Sequence, residues 1–245
     1  MTASDLVAAT PAWRRTAMPL LAAASGLAGL GVLTIEGLGW AYYRPLPAAA
    51  VFAAVAGFVV AVPPTHRPVG RFGAANGVTL LRGVVASWLG GLIGAGPAIG
   101  TVGWWVAGAT LLVLVLDGID GRIARRQRTV SAFGAHFDME VDALFLLVLS
   151  ILAFHAERAG PWVLAIGLMR YAFLAASLAV PGLRRPLPES FRRKLVCVIQ
   201  GAALGGCFVP GLGEAATTAL LAAALGMLAW SFAADTLHLL RAAPP

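Results

Sequence analysis

Eight apolar runs, each about as long as a membrane-crossing helix, dominate this 245-residue chain. A helix needs about 20 consecutive apolar residues to cross a bilayer. The runs lie at residues 17–35, 47–63, 76–95, 101–121, 136–156, 161–180, 194–211 and 215–240. Hydrophobic residues make up 59% of the chain and charged residues only 12%, which excludes an ordinary soluble domain. The sequence therefore predicts an all-α fold, a polytopic membrane helical bundle.

Positive charge gathers in alternate connections between these runs, and this pattern predicts the orientation of the chain. Basic residues precede the first run and follow the second, fourth and sixth, whereas the other connections carry little charge. Because arginine and lysine are retained on the cytoplasmic side, both termini and the connection after the fourth run are predicted to be cytoplasmic. We expect a multi-pass protein of the inner (cytoplasmic) cell membrane. The net charge of +7 then reflects topology, and nucleic acid is a poor explanation for it.

Four aspartates stand where the fourth run ends and the fifth begins. Asp117 and Asp120 are three residues apart, and Asp138 and Asp142 are four apart, so each pair projects from one face of a helix. Carboxylates at a membrane edge are costly unless they have a metal, a partner or a chemical role. Two such helix ends brought together would offer four hard oxygen ligands, which suit Mg²⁺ or Mn²⁺. The alternative, that they simply face cytoplasmic water, suits a single aspartate better than two helical pairs.

The residues around these aspartates resemble the signature of the CDP-alcohol phosphotransferase (CDP-alcohol phosphatidyltransferase) family. That signature reads D-x2-D-G-x2-A-R-x8-G-x3-D-x3-D. The chain matches it at Asp117, Asp120, Gly121, Ala124, Arg125, Gly134, Asp138 and Asp142. Upstream, Asn76, Thr79 and Arg82 form N-x2-T-x2-R, a second feature of the family. Taken alone, this second pattern is equally typical of a polar helix entrance with a snorkelling arginine.

The resemblance implies an integral-membrane transferase of phospholipid biosynthesis. Members move a substituted phosphate from a CDP-linked donor to a hydroxyl and release CMP. We expect transfer of a phosphatidyl group from CDP-diacylglycerol to a small polar alcohol, with Mg²⁺ or Mn²⁺, two ions in all, as cofactor. Residues 73–245 would form the family's six-helix catalytic membrane domain. Residues 1–72 would be an extension with two extra N-terminal transmembrane helices, and the resemblance also implies a homodimer among membrane lipids.

The resemblance further implies roles for individual residues. The metal ligands would be Asp117, Asp120, Asp138 and Asp142, with Asp142 also the catalytic general base for the acceptor hydroxyl. The nucleotide and the rest of the donor would be bound by Asn76, Thr79, Arg82, Gly121, Ala124, Arg125 and Gly134.

Four later residues are candidates for an acceptor or phosphate pocket: Arg170, Arg193, Lys194 and Gln200. Arg170 stands nearly midway in an apolar run, where a charge usually faces the protein interior or a wet cavity, although snorkelling is the alternative. Arg193 and Lys194 belong to a basic cluster that topology alone could explain. Gln200 lies further into the same predicted helix and could support a polar pocket.

Two other functions stay open from the sequence. A soluble CDP-alcohol could donate its head group to a lipid hydroxyl, which keeps the enzyme class but reverses the roles of lipid and alcohol. A non-catalytic membrane transporter is the second alternative, although no inverted repeat is apparent to support it.

Overall fold

The structure, a computed structural model, describes residues 12–61, 72–126, 131–185, 187 and 190–241, without the side chains of residues 12–15, 124 and 125. Within these ranges the secondary structure is helical and contains no strand, which confirms the all-α prediction. The α-helices are α1 (Ala12–Val32), α2 (Pro45–Ala61), α3 (Ala74–Gly90), α4 (Gly103–Arg126), α5 (Ala132–His155), α6 (Leu164–Ala179), α7 (Phe191–Gly206) and α8 (Glu214–Arg241). Each of them overlaps one of the eight apolar runs.

Shorter helical turns complete the described secondary structure. A π-helical turn, Leu33–Gly37, extends α1, and 3-10 turns form at Gly96–Val102, Pro161–Val163 and Pro181–Arg184. The first and second of these 3-10 turns lead directly into α4 and α6, so they lengthen both helical segments.

Four helical segments in the described part of the chain are long and apolar enough to cross a membrane: Thr16–Gly37, Gly96–Ile123, Pro161–Ala179 and Glu214–Arg241. Three other helices, α2, α3 and α7, have 17, 17 and 16 residues, fewer than the ~20 that span a bilayer. Helix α5 has 24 residues but carries Asp138, Glu140 and Asp142. The chain is therefore a membrane protein with four candidate spans, and the arrangement of six core helices plus two stays a prediction.

The described residues form two compact units. The first contains the residues up to Ala95 together with Leu111–Phe145, and the second contains Gly96–Thr110 together with the residues from Leu146 onward. Helices α4 and α5 each contribute to both units. The predicted domain boundary at residue 72 stays a prediction.

Helices α1, α2 and α3 pack against one another in the first unit. Its apolar core also includes α5. Buried side chains from α2 (Val55 and Val59), α3 (Leu80) and α5 (Phe133, Phe137 and Val141) form this core. Glycines let α2 approach α3 closely. A Cβ on Gly83 would lie 3.1 Å from Cγ1 of Val55, and a Cβ on Gly90, one heptad later, would lie 2.8 Å from Cγ2 of Val51. Small residues of this kind permit tight helix packing in membranes.

A buried polar contact joins the end of α1 to the end of α3. The indole Nε1 of Trp88 donates to Oγ1 of Thr34 at 2.8 Å, and that hydroxyl donates to the carbonyl of Leu30 at 2.6 Å. In the following connection, burial raises the pKa of Tyr43 to about 12, so the phenol remains protonated at neutral pH. The two N-terminal helices are thus fixed to α3 by polar and apolar contacts.

In the second unit, α8 packs against α7 and α6. One side of α8 is buried, with the residues Thr217, Leu221, Ala224, Leu228, Ser231 and Asp235. Their spacing of three and four residues is that of a single helix face. Asp235 is therefore an acidic group on the packed side of this helix.

Candidate metal centre

The guanidinium of Arg82 lies among all four predicted aspartates, within the first compact unit. Helix α3 supplies Arg82, α4 supplies Asp117 and Asp120, and α5 supplies Asp138 and Asp142. The Nη1 atom of Arg82 is 2.6 Å from an oxygen of Asp120 and 2.6 Å from an oxygen of Asp138. Its Nη2 atom is 3.0 Å from Asp117 and also contacts Asp142. Three helices therefore converge on one fully buried arginine.

Asp120 is the most buried of the four carboxylates, with 5% of the residue exposed. Oγ1 of Thr79 donates to Asp120 Oδ2 at 3.2 Å and lies at the same distance from the carbonyl of Ala75, one turn earlier. Thr79 and Arg82 are three residues apart, so both reach the same carboxylate from one face of α3. This geometry explains the spacing between the threonine and the arginine in the N-x2-T-x2-R element.

Three of the aspartates have the geometry of a cation site. Oxygens of Asp117, Asp120 and Asp138 all lie within 4.8 Å of one another. The side chains of Asp117 and Asp138 are 31% and 40% exposed, so an ion can reach the cluster from solvent. Four carboxylates facing a single guanidinium also leave three formal negative charges in excess. Hard oxygen ligands with excess negative charge fit Mg²⁺ or Mn²⁺.

Asp142 is the fourth aspartate around Arg82. It contacts the Arg82 guanidinium, and 26% of its side chain is exposed. The three-carboxylate cluster forms without it, so its predicted role as a ligand stays a prediction, as does its role as general base.

Asn76 and Gly134 bring the start of α5 close to α3. Asn76 Nδ2 donates to the carbonyl of Phe72 at 2.6 Å, and its Oδ1 would lie 3.0 Å from a Cβ placed on Gly134. A larger residue at position 134 would push Asn76 or the helix aside. Sequence reasoning did not identify Ser131, whose hydroxyl accepts a hydrogen bond from the N–H of Gly134 at 3.0 Å. A serine directly before a helix and three residues ahead of that N–H is the usual signal of such a cap.

Three other signature residues lie at the end of α4. Gly121 is half-buried in this helix. The backbone of Ala124 and Arg125 belongs to the same helix, but their side chains lie outside the described residues. Their predicted contact with the donor nucleotide therefore stays a prediction.

Three of the four predicted acceptor residues lie on α7, in the second unit. Arg193 Nη1 lies 3.5 Å from Asp235, and Lys194 is exposed. The neighbouring Arg192 contacts Asp235 and donates to the carbonyl of Ser231 at 3.0 Å. Sequence reasoning identified neither Arg192 nor Asp235 as a partner, since residues about 40 positions apart give no local signal.

Gln200 and Arg170 also lie in the second unit. Gln200 is fully buried, and its Nε2 donates to the carbonyl of Ala224 at 2.8 Å. Its Oε1 is buried with no hydrogen-bond partner among the described residues. Arg170 is half-buried on α6. A role for either residue in acceptor binding stays a prediction.

Comparison with known protein families finds a match over much of the chain. A protein-family model described as CDP-alcohol phosphatidyltransferase matches residues 72–234, more than half of the chain. No curated protein and no solved structure matches significantly. The matched segment includes all the predicted metal and donor residues, and it begins after α2.

Proposed function

Since the chain belongs to the CDP-alcohol phosphatidyltransferase family, we propose that it transfers a phosphatidyl group from CDP-diacylglycerol to the hydroxyl of a small polar alcohol and releases CMP. Membership of the family makes the chain a transferase of phosphate-containing groups that uses a CDP-alcohol. The observation that most directly supports the finer proposal is the cluster of Asp117, Asp120 and Asp138, with oxygens within 4.8 Å of one another. Such a cluster suits a substrate whose diphosphate needs divalent cations.

Residues of the chain would hold the cations and prepare the site. Asp117, Asp120 and Asp138 would provide the ligands, and Asp142 is the fourth candidate. A divalent cation bound here would neutralise the charge on the diphosphate and stabilise CMP as it leaves. Thr79 and Arg82 orient Asp120 through hydrogen bonds, and such supporting contacts usually matter for metal affinity.

The proposed reaction is a displacement at the phosphorus that carries the diacylglycerol. A bond forms between the acceptor oxygen and this phosphorus, and the bond from the phosphorus to the CMP oxygen breaks. We assign the acceptor's proton to a carboxylate oxygen of Asp142, which is partly exposed and borders the cluster. A carboxylate is a weak base at neutral pH, so proton removal would coincide with attack.

The location proposed for this reaction is the cytoplasmic face of a cell membrane. The lipid tails of the donor could remain in the bilayer while the nucleotide and the alcohol enter from water. The basic connections predict that the end of α4 and the start of α5 face the cytoplasm. We also propose a homodimer, as the family resemblance implies.

The test is CMP release by the purified full-length protein in detergent. The protein receives CDP-diacylglycerol, Mg²⁺ or Mn²⁺, and one acceptor alcohol at a time. Asp138→Asn is the inactive control, and Glu140→Gln is the matched control because it removes a carboxylate from the same turn of α5 at a position between the two motif aspartates. Metal-dependent CMP release that survives Glu140→Gln and disappears with Asp138→Asn would support the proposal. Release only from a soluble CDP-alcohol, with a lipid acceptor, would support the reversed reaction instead.

A further inference from the structure

We propose that α2, which precedes the segment shared with the family, positions Arg82, Asp138 and Asp142 in the metal centre by fixing the rotation of α3 and α5. Its residues touch the positions directly beside the motif residues on both helices. This inference rests on the proposed function, since it concerns the same cation site.

The contact with α5 fixes the direction of two aspartates. Phe137 and Val141 are buried against Val55 and Val59 of α2, with exposed fractions of 0% and 1%. Each precedes a motif aspartate, Asp138 or Asp142. Successive residues of an α-helix are about 100° apart around its axis. The rotation that buries the apolar row against α2 therefore also determines where the acidic row points.

The contact with α3 has the same consequence for Arg82. The next residue, Gly83, faces Val55, whose Cγ1 and Cγ2 atoms would lie 3.1 and 3.4 Å from a Cβ at that position. Val55 thus contacts α3 beside Arg82 and belongs to the apolar cluster beside Asp138. A single residue of α2 therefore borders both the helix that holds Arg82 and the helix that holds Asp138 and Asp142.

An aromatic stack reinforces the contact directly behind Asp138. The ring of Phe58 on α2 stacks on that of Phe137, with centroids 6.1 Å apart and planes inclined by 11°. Phe137 stacks in turn on Phe133, one turn earlier in α5, at 5.8 Å. Removing the Phe58 ring would leave a gap that Phe137 can enter by a small rotation of α5.

The contrasting explanation is that α2 serves only as a membrane anchor. In that case its apolar residues would matter for insertion and folding but not for the affinity of the folded protein for a cation. Leu46, which is 80% exposed on the same helix, provides the matched control because its side chain lies outside the packed core.

The experiment measures Mn²⁺ binding by electron paramagnetic resonance on the full-length protein in detergent. We expect Phe58→Ala to weaken Mn²⁺ binding about tenfold, as supporting residues of metal sites commonly do, with Phe58→Leu in between and Leu46→Ala unchanged. The same order is expected for the kcat of CMP release, with a smaller change in the KM for the donor.

A compensating pair tests the contact with α3. Gly83→Ala should weaken Mn²⁺ binding because its Cβ crowds Val55, and adding Val55→Ala to the same chain should restore much of the loss. Gly77→Ala is the control on α3, since a Cβ there meets no atom within 4 Å. This pair decides the question if Phe58→Ala does not fold.

The outcomes separate the two proposals. Wild-type protein that binds no Mn²⁺ would overturn the proposed function and this inference with it. Wild-type protein that binds Mn²⁺, with Phe58→Ala and Gly83→Ala binding it equally well, would leave the function standing and reduce α2 to an anchor.

Discussion

Arg82 and Asp120, 38 residues apart in the chain, are joined by a buried hydrogen bond of 2.6 Å between Nη1 and Oδ2. The same Nη1 atom also lies 2.6 Å from Asp138, so one nitrogen on α3 links α4 to α5. This guanidinium places a positive charge among the four carboxylates and offsets part of their mutual repulsion. Arg82 thus has a structural role in the site, in addition to the donor contact that the family resemblance implies.

Replacing Arg82 by glutamine should destabilise the metal-free protein. Asp120 would then be buried beside three other carboxylates without its cationic partner, and breaking such a pair costs about 3 kcal/mol. We expect a clearly lower melting temperature in detergent with EDTA. Added Mn²⁺ should narrow the difference from wild type, because a cation would replace the lost positive charge. Differential scanning fluorimetry with and without Mn²⁺ measures both effects.

Arg126→Gln is the matched control for that change. Arg126 is exposed at the end of α4, so the same chemical substitution should leave the melting temperature within about a degree of wild type. If the difference in melting temperature between Arg82→Gln and wild type is the same in EDTA and in Mn²⁺, then the cation does not replace the guanidinium as the partner of these carboxylates.

Asp142→Asn and Asp120→Asn should affect different steps. Asparagine at position 142 removes the proposed base, so we expect kcat to fall by about 10²-fold or more with little change in donor affinity. Asparagine at position 120 removes a buried oxygen of the three-carboxylate cluster, so Mn²⁺ binding should weaken as well. Steady-state kinetics and Mn²⁺ titration of both variants separate the two roles. Equal losses of kcat and donor binding in Asp142→Asn would leave that residue only a ligand role.

The sequence predicted the helices and the pairing of the aspartates along them, but not which carboxylates the arginines contact. The pairs Asp117–Asp120 and Asp138–Asp142 follow from helical spacing, and their convergence was expected from the motif. The position of Arg82 among them depends on how α3 packs against α4 and α5, and helical periodicity contains no such information. The pairing of Arg192 with Asp235 was missed for the same reason. Helix ends were also imprecise, since α4 continues to Arg126 beyond its apolar run.

Asp235→Asn should loosen the packing of α7 on α8. The carboxylate contacts Arg192 and lies 3.5 Å from Arg193, but both arginines are about 30% exposed, so solvent screens part of the interaction. We therefore expect a loss of about 1 kcal/mol in the free energy of unfolding. Mn²⁺ affinity should be unchanged because Asp235 lies outside the metal centre. Urea or thermal unfolding in detergent tests this.

Arg193→Gln distinguishes that structural contact from acceptor binding. It removes the longer of the two arginine contacts to Asp235 and keeps the contact of Arg192, so it should cost less stability than Asp235→Asn. If Arg193 binds a phosphorylated acceptor, the KM for that acceptor should rise at least tenfold while the KM for the donor is unchanged. Unchanged kinetics for every acceptor would leave Arg193 with a role in topology and packing alone.

Gly103→Ala should be markedly more damaging than Gly108→Ala, although both glycines lie in α4. A Cβ on Gly103 would lie 2.1 Å from the backbone carbonyl oxygen of Phe208, which cannot rotate away, whereas a Cβ on Gly108 meets no atom within 4 Å. Overpacking of this kind costs about 1–3 kcal/mol, while alanine replacing an unhindered helical glycine gains up to about 1 kcal/mol. We expect the melting temperature to fall for Gly103→Ala and to stay level or rise for Gly108→Ala. Equal melting temperatures would show that the start of α4 does not approach the Phe208 backbone this closely.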